Sequence, residues 1–592
     1  MAGPRDRTRP QSRPKDARGT LARIIRYLMA YRYLVLLFLL CAFLSNIGNL
    51  MGPRFAGKAI GVTEAGPGKV DFALVRRYAL WMLTAYVGSN VMSFLVNFGM
   101  MRVGRRVAQN MRRDVFAKLM RMPVSFFDTH QAGDIISRVS YDVDVVSTCL
   151  STDVIQILTS VVTVAGSFTM MCIISPPLVL CMAFTIPASI LFTRAMGKKT
   201  RPRYARRSAA YGEMNGFAEE MFTGQKTILA YAHEDAMCER FRTINRTAAE
   251  AYRDADGLGM TMGPTIGMIN NFGLAAIGMG GAALYLLGAV GLGQISSFVL
   301  YSRKFSGPIN EISNIINELY SALAAAERIF QLLDQSEEEP DAADAAELEN
   351  CRGHVQIRDV SFGYVPGKTI LHDLNLEARP GQTIAIVGPT GAGKTTIINL
   401  LMRFYDASEG AVLLDERDCR DYTRRSLRRS YAMVLQDTWV FHGTIFDNIA
   451  YGKAGATMDQ VVAAAKAARI HNTIMRLPEG YNTVISEDGG NISKGQKQLL
   501  TSARAMLYNN NMLILDEATS NVDTATERQV QKAIRSLMKD RTCFVIAHRL
   551  STIQNADRIL VLDHGDVVEQ GTHESLMECR GFYYRLYASQ FE

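Results

Sequence analysis

Two hydrophobic patterns divide the chain. Before about residue 335, apolar residues run on for some twenty positions at a time; beyond it they come in bursts of four or five. The first long run, "YLVLLFLLCAFLSNIGNLMG" at 33–52, matches the ~20 residues that a helix needs to cross a bilayer. It is too long for a cleaved signal peptide, and no small-x-small site follows it. Similar runs occupy 79–101, 154–174 and 177–197, the last two divided at the turn Ser175-Pro176-Pro177. A final pair, 265–287 and 293–316, is separated by the Gly-rich "GAVGLG". Six crossings return the chain to the side where it began.

The segments between crossings two and three, and between four and five, are long and polar. Their apolar residues recur every three or four positions, which predicts that the helices continue beyond the membrane. One holds Arg105, Arg106, Arg112 and Arg113, the other Lys198, Lys199, Arg201 and Arg203. The positive-inside rule places both in the cytoplasm. These charges read as topology, not as a nucleic-acid surface. The basic tail 1–26, with Pro4, Pro10 and Pro14, reads as a cytoplasmic arm. The prolines and Asp6 and Asp16 count against an amphipathic organelle presequence.

Composition agrees with a membrane part joined to a water-soluble part. Of 592 residues, 48% are hydrophobic while 21% are still charged. The net charge of +8 is accounted for by the membrane-flanking Arg and Lys. Nine scattered Cys without a CxxC pair argue against a zinc site or a disulfide framework. The six crossings are apolar and nearly free of charge. Asn46, Asn49, Asn90, Asn97, Asn270 and Asn271 are read as helix–helix hydrogen-bonding groups, and Gly273, Gly278, Gly280 and Gly281 as sites of close helix packing. Glu311 and Glu318, low in the last crossing, could face a cationic cargo or solvent.

Residues 335–350, "QSEEEPDAADAAELEN", form an acidic linker. The expected division is therefore a tail (1–26), a helical membrane domain (27–334), the linker (335–350) and an α/β domain (351–592). In the last of these, "TIAIVGPTGAGKTTIINLL" begins as a buried strand and enters a helix at a Gly-rich turn. It fits G-x-x-x-x-G-K-S/T in the strand–loop–helix context which that pattern requires. Gly388, Pro389, Thr390, Gly391, Ala392 and Gly393 form the expected phosphate cradle. Their backbone N–H groups and the helix dipole favour an anion. Lys394 is expected on the β- and γ-phosphates of ATP, Thr395 on Mg²⁺, and Thr396 beside them. Downstream, "MLILDEATS" delivers Asp516 and Glu517 at the end of a buried strand. Asp516 suits the metal, and Glu517 suits a general base that orients water.

With these residues in place, the chain resembles the ABC-transporter ATPases. Gln436 in "MVLQDTWVF", the signature-like 493–496, Asp516 and Glu517, "SNVD" at 520–523 and His548 in "VIAHRLSTI" follow the P-loop in that family's order. Tyr364 in "VSFGY" matches the aromatic residue that stacks on adenine. Upstream, "FFDTHQAGDIISRVSYDVD" (126–144) and "EEMFTGQKTILAYAHED" (219–235) are similar to the coupling segments of type IV exporters. The resemblance implies that Gln436 senses Mg²⁺ and the γ-phosphate, and that His548 contacts the γ-phosphate. It implies that Ser493, Gly495 and Gln496 complete the ATP site of a facing subunit. One chain supplies six crossings and one ATPase domain, half a transporter, so it is expected to dimerise in the cell membrane with its N-terminus and ATPase in the cytoplasm.

Two departures from the family's pattern matter. Its usual LSGGQ is here Ile492-Ser493-Lys494-Gly495-Gln496, and its SALD is Ser520-Asn521-Val522-Asp523. The resemblance is to the catalytic-Glu subunit of heterodimeric exporters. A homodimer that tolerates Lys494 is the alternative. The expected cargo is an amphipathic drug or lipid. Peptide export, or import of a small molecule such as a siderophore on the same fold, remains open. A soluble ABC ATPase acting on ribosomes or DNA is disfavoured by the apolar crossings on the same chain.

Overall fold

The computed structural model describes residues 16–64, 66, 68–182, 185–435, 438–486, 491–516, 524–547 and 550–591. They form two compact units, one drawn from Met1–Met122 and His130–Ser336, the other from Pro123–Thr129 and Glu337–Glu592.

The first unit is helical. Among the described residues, Arg32–Val62, Phe72–Leu119, Ala132–Ile174 and Glu234–Leu286 are long and apolar enough to cross a membrane. These carry expected crossings one, two, three and five. Crossing four falls on the helices Pro176–Met182 and Thr185–Thr223, between which 183–184 lie outside the described residues. Crossing six lies in the 42-residue helix Leu292–Leu333.

The helices do continue past the apolar runs. Phe72–Leu119 starts at Asp71, whose side chain accepts from the N–H groups of Ala73 and Leu74 and so satisfies two of the helix's unpaired donors. Its buried residues Val96, Met100, Val103, Val107, Met111 and Val115 form one face at helical spacing, extending beyond residue 101. Arg112, on this extension, donates to Asp144 at 2.6 Å, so at least one topological charge is also an interhelical tie. Asp142 is buried in a π-helical turn, Arg138–Asp142, and accepts from Arg328 Nε at 2.9 Å.

The close helix contact differs from the expected one. It lies chiefly between crossings one and six: a Cβ on Gly57 would come within 2.4 Å of the Gly293 carbonyl, and one on Gly293 within 2.2 Å of the Gly57 carbonyl. In crossing five a Cβ on Gly278 would meet nothing, and one on Gly281 would meet only Ile295, at 3.1 Å. Backbones therefore touch where two small residues face each other, which a Gly count in one helix does not reveal. Of the asparagines, Asn46 accepts from Thr163 across helices, and Asn49 meets Lys304 of crossing six. Asn90 and Asn97 instead bond one turn back in their own helix. Nor is crossing six free of charge, since it carries Arg303 and Lys304.

The second unit is α/β. Its strands are β1 (Val355–Phe362), β2 (Leu371–Ala378), β3 (Thr383–Val387), β4 (Glu409–Leu414), β5 (Arg417–Asp418), β6 (Tyr431–Val434), β7 (Gly443–Thr444), β8 (Val484–Ile485), β9 (Met512–Asp516), β10 (Thr542–Ile546), β11 (Arg558–Asp563) and β12 (Asp566–Gly571). An antiparallel sheet runs β2-β1-β4-β5, and a larger one β12-β11-β3-β10-β9-β6. Within the larger sheet β11, β3, β10, β9 and β6 are all parallel. Alternation along β3 explains the two cores: Ile384 and Ile386 join one, Ala385 and Val387 the other. The linker is tied down in this unit. Its Glu338 and Asp341 accept from Arg428 and Arg424, and Arg424 also reaches Asp406 at 3.0 Å.

Candidate functional site

Parallel strands end at one edge, and that edge gathers chemistry from distant parts of the chain. The ends of β3, β6, β9 and β10 lead directly into 388, 435, 517 and 547. Ile546 of β10 pairs in register with both Ile386 of β3 and Asp516 of β9, so Asp516 stands level with the residue two before Gly388. Residues 436, 517 and 548 follow these strand ends within two positions. The predicted Gln436, Glu517 and His548 themselves lie outside the described residues, as does 520–523.

The loop after β3 has the backbone that its glycines allow. Gly388, Gly391 and Gly393 all have positive φ, at 154°, 88° and 99°. At Gly388 there is also no room, because a Cβ would lie 2.2 Å from the Leu562 carbonyl of neighbouring β11. Pro389, Thr390 and Ala392 complete the turn, and Ala392 is buried. The helix Lys394–Leu401 then begins with Gly393 as its N-cap and no side-chain cap. Its first N–H groups are therefore not consumed by a side chain of the loop.

Lys394 folds back over the loop. Its Nζ donates to the Gly388 carbonyl at 2.8 Å and to the Pro389 carbonyl at 2.9 Å. Burial lowers its pKa below that of an ordinary lysine, and the negative charge of Asp516 opposes that shift. Lys394 is thus poised between a loop carbonyl cage and an acid. Thr395 is exposed at the start of the helix, while Thr396 is buried.

Tyr364 is held against this helix. Its hydroxyl donates to Thr396 Oγ1 at 3.3 Å and accepts from Asn399 Nδ2 at 2.9 Å. Its ring packs edge-on against Phe362 and Tyr405, at 5.0 and 4.9 Å, and remains 40% exposed. The ring is thereby held, partly exposed, beside the 388–396 loop. Tyr405 Oη in turn donates to Asp128 at 2.6 Å. The sequence named Tyr364 as a candidate but not Asn399 or Tyr405, which support it; their only signal was that a partly exposed tyrosine needs support.

The signature-like segment forms a different helix start. Ser493 is the N-cap of Lys494–Tyr508, with its hydroxyl accepting from the Gln496 N–H at 3.3 Å. Gln496 Oε1 accepts from the Ser493 N–H at 2.9 Å, which closes a capping box. Gly495 is buried, whereas Ser493 and Lys494 are exposed. The predicted sites thus resolve into three described groups, namely the 388–396 loop with Asp516, the Tyr364 platform, and the 493–496 cap.

Comparison with known proteins assigns both units. Residues 35–309 match the ABC transporter transmembrane region and residues 371–520 match the ABC transporter family. The chain is 38% identical to a fatty acid ABC transporter ATP-binding/permease protein of Mycobacterium bovis, over 98% of this chain and 97% of that one. It is 34% identical to an ATP-dependent lipid A-core flippase of Methylobacillus flagellatus, over 98% of each. Its fold matches a bacterial Atm1-family ABC exporter solved with ATP bound, at a TM-score of 0.74 and 28% identity, covering 96% of this chain and 99% of that one.

Proposed function

This chain belongs to the ABC transporters, as a half-transporter that dimerises and couples ATP hydrolysis to export, and from that premise we propose that its cargo is a lipid-like amphiphile. The observation that carries the cargo is full-length similarity to two lipid transporters, one named for fatty acids and one for lipid A-core. The basic loops are consistent with insertion in the cell membrane with the N-terminus and ATPase on the cytoplasmic side.

In this reading the N–H groups of 388–396 cradle the ATP phosphates, and Lys394 exchanges its loop carbonyls for the β- and γ-phosphates. Tyr364 stacks on adenine. Thr395 and Asp516 offer a hydroxyl and a carboxylate, the hard oxygen donors that suit Mg²⁺, and Gln436 joins them. Mg²⁺, when bound, would neutralise phosphate charge. Glu517 orients and deprotonates the attacking water, while His548 steadies the γ-phosphate. Ser493, Gly495 and Gln496 face the nucleotide held by the partner subunit. Closure of the ATPase pair drives the membrane halves between inward- and outward-open states.

We further assign the partner to a different half-transporter. Lys494 alters the signature offered to the partner's site, whereas Lys394, Asp516 and Glu517 keep the full hydrolytic set for this chain's own site. Purification in detergent should recover a second homologous subunit. Robust, lipid-stimulated ATPase from this chain alone would make the pair a homodimer. The catalytic assignment is tested by Glu517→Gln, which should retain ATP binding and lower turnover by about 10²- to 10⁴-fold. Near-normal hydrolysis in that variant would remove Glu517 from the role of base. Uptake of a labelled fatty acid into inside-out vesicles, dependent on ATP and lost in Glu517→Gln, tests the cargo.

A further inference from the structure

The first crossing, in the helix Arg32–Thr63, contains Pro53. Proline has no N–H, so the Asn49 carbonyl one turn back loses its helical donor. In lipid such a group must be satisfied from within the protein. The helix Leu292–Leu333 supplies donors from one face. Ser297 Oγ donates to the Pro53 carbonyl at 2.9 Å, and Tyr301 Oη to the Leu50 carbonyl at 2.6 Å. Lys304 Nζ donates to the Asn49 carbonyl at 3.0 Å and also to the Asn49 side-chain oxygen.

A hydroxyl serves at two of these positions, and a lysine brings more than the third one needs. Its ammonium rests on two neutral oxygens and lies 5.8 Å from the centre of the Tyr86 ring. Among the described residues no carboxylate pairs with Lys304. The pair also belongs to two membrane-crossing segments. Glu64 accepts from the Leu292 N–H, so the two helices meet at those ends. From there Lys304 lies about 18 Å along its helix at 1.5 Å per residue. Both partners fall within the expected crossings, Asn49 in 33–52 and Lys304 in 293–316. A cation there is costly and needs a reason.

We propose that Lys304, with Asn49 and Tyr86, recognises the acid group of an amphiphilic carboxylate. The inference rests on the lipid-like cargo proposed above and adds an ionised head group to it. A carboxylate gives Lys304 a hydrogen bond between opposite charges, which the neutral oxygens of Asn49 cannot match. The exchange has a second effect. When the ammonium turns to cargo, the Asn49 carbonyl gives up its donor, and the tie between crossings one and six loosens beside Pro53. Cargo binding thereby reaches the two helices whose backbones touch at Gly57 and Gly293.

The test uses the full-length protein in proteoliposomes, together with any partner it needs, and two probes of equal chain length, palmitate and hexadecanol. ATPase stimulation is read against probe concentration. Wild type should respond to palmitate at lower concentration than to hexadecanol. Lys304→Gln should raise the half-maximal palmitate concentration about tenfold or more and leave the half-maximal hexadecanol concentration unchanged. Lys304→Arg should keep the preference. Asn49→Asp, which is isosteric, should abolish it by placing a fixed carboxylate beside the ammonium, and serves where Lys304→Gln does not fold. An unchanged palmitate response in Lys304→Gln and Asn49→Asp overturns the proposal. So does an equal loss for both probes, which would leave Lys304 only a structural donor to the Asn49 carbonyl. A wild type that answers neither probe removes the lipid cargo itself, and this inference with it.

Discussion

Two helices of the ATPase unit begin with a lysine, and the two lysines behave oppositely. Lys394 opens Lys394–Leu401, is partly buried, and donates to two carbonyls of the preceding loop. Lys494 opens Lys494–Tyr508 and is exposed. The difference lies in the residue before each. Gly393 sits at positive φ and offers no side chain, so the helix start has no cap of its own. Ser493 is extended and, with Gln496, caps its helix from within. A start without a side-chain cap is suited to an external anion, while a capped start presents a rigid edge. In the proposed function the first cradles this chain's own ATP and the second is offered to the partner subunit.

The largest effect should come from Lys394→Met. ATP affinity and turnover should fall by at least about 10²-fold. Stability of the nucleotide-free protein should not fall with them. The folded-state pKa of Lys394 is lowered by burial, so the folded state disfavours the charged form. That penalty is fully present below the lowered pKa and is relieved as pH rises through it toward the ordinary value. Wild type should therefore gain stability relative to Lys394→Met as a thermal-unfolding series approaches alkaline pH. A relative loss would mean that the carbonyl cage outweighs desolvation.

Gly388→Ala should come next. The new Cβ would clash with the Leu562 carbonyl at 2.2 Å, so the loop or β11 must move. A cost of roughly 1–3 kcal/mol in unfolding free energy is expected, along with weakened nucleotide binding. Ser493→Ala should cost about 1 kcal/mol by removing the cap. It should also separate the two helix starts functionally, sparing ATP binding at the Lys394 loop while lowering turnover of the assembled dimer. Equal loss of this chain's own ATP binding would place both starts at one site. The smallest change should be Lys494→Gly, a few tenths of a kcal/mol in thermal stability, because an exposed charge in the first turn interacts weakly with the helix dipole.

Much of this was legible in the chain because the chemistry is contiguous. Nine successive residues, 388–396, contain a strand exit, a Gly-rich turn and a helix start, and each reads from local stereochemistry. The membrane runs are legible for the same reason, since twenty apolar positions in a row have few other uses. The support of Tyr364 was not, because Asn399 and Tyr405 reach it only through the fold. The acidic linker read as a spacer, yet Glu338 and Asp341 are paired with arginines some ninety residues on. The Gly stripe of crossing five suggested tight packing, yet backbones meet where Gly57 faces Gly293.

Properties of one element, such as its period, its cap and its Gly-dependent turn, are written along the backbone and follow from residue type and spacing. These include the strand before Gly388, the helix after Lys394, the capping box at Ser493 and the length of the crossings. Relations between elements depend on strand order and helix facing, which no short window contains. The parallel order of β3, β10 and β9 brings Asp516 level with the phosphate loop. The packing of crossing six on crossing one beside Pro53 ties Lys304, in sequence only a charge within a crossing, to the Asn49 carbonyl. Both arise because a backbone group or a charge must find its partner in three dimensions, whatever its distance along the chain.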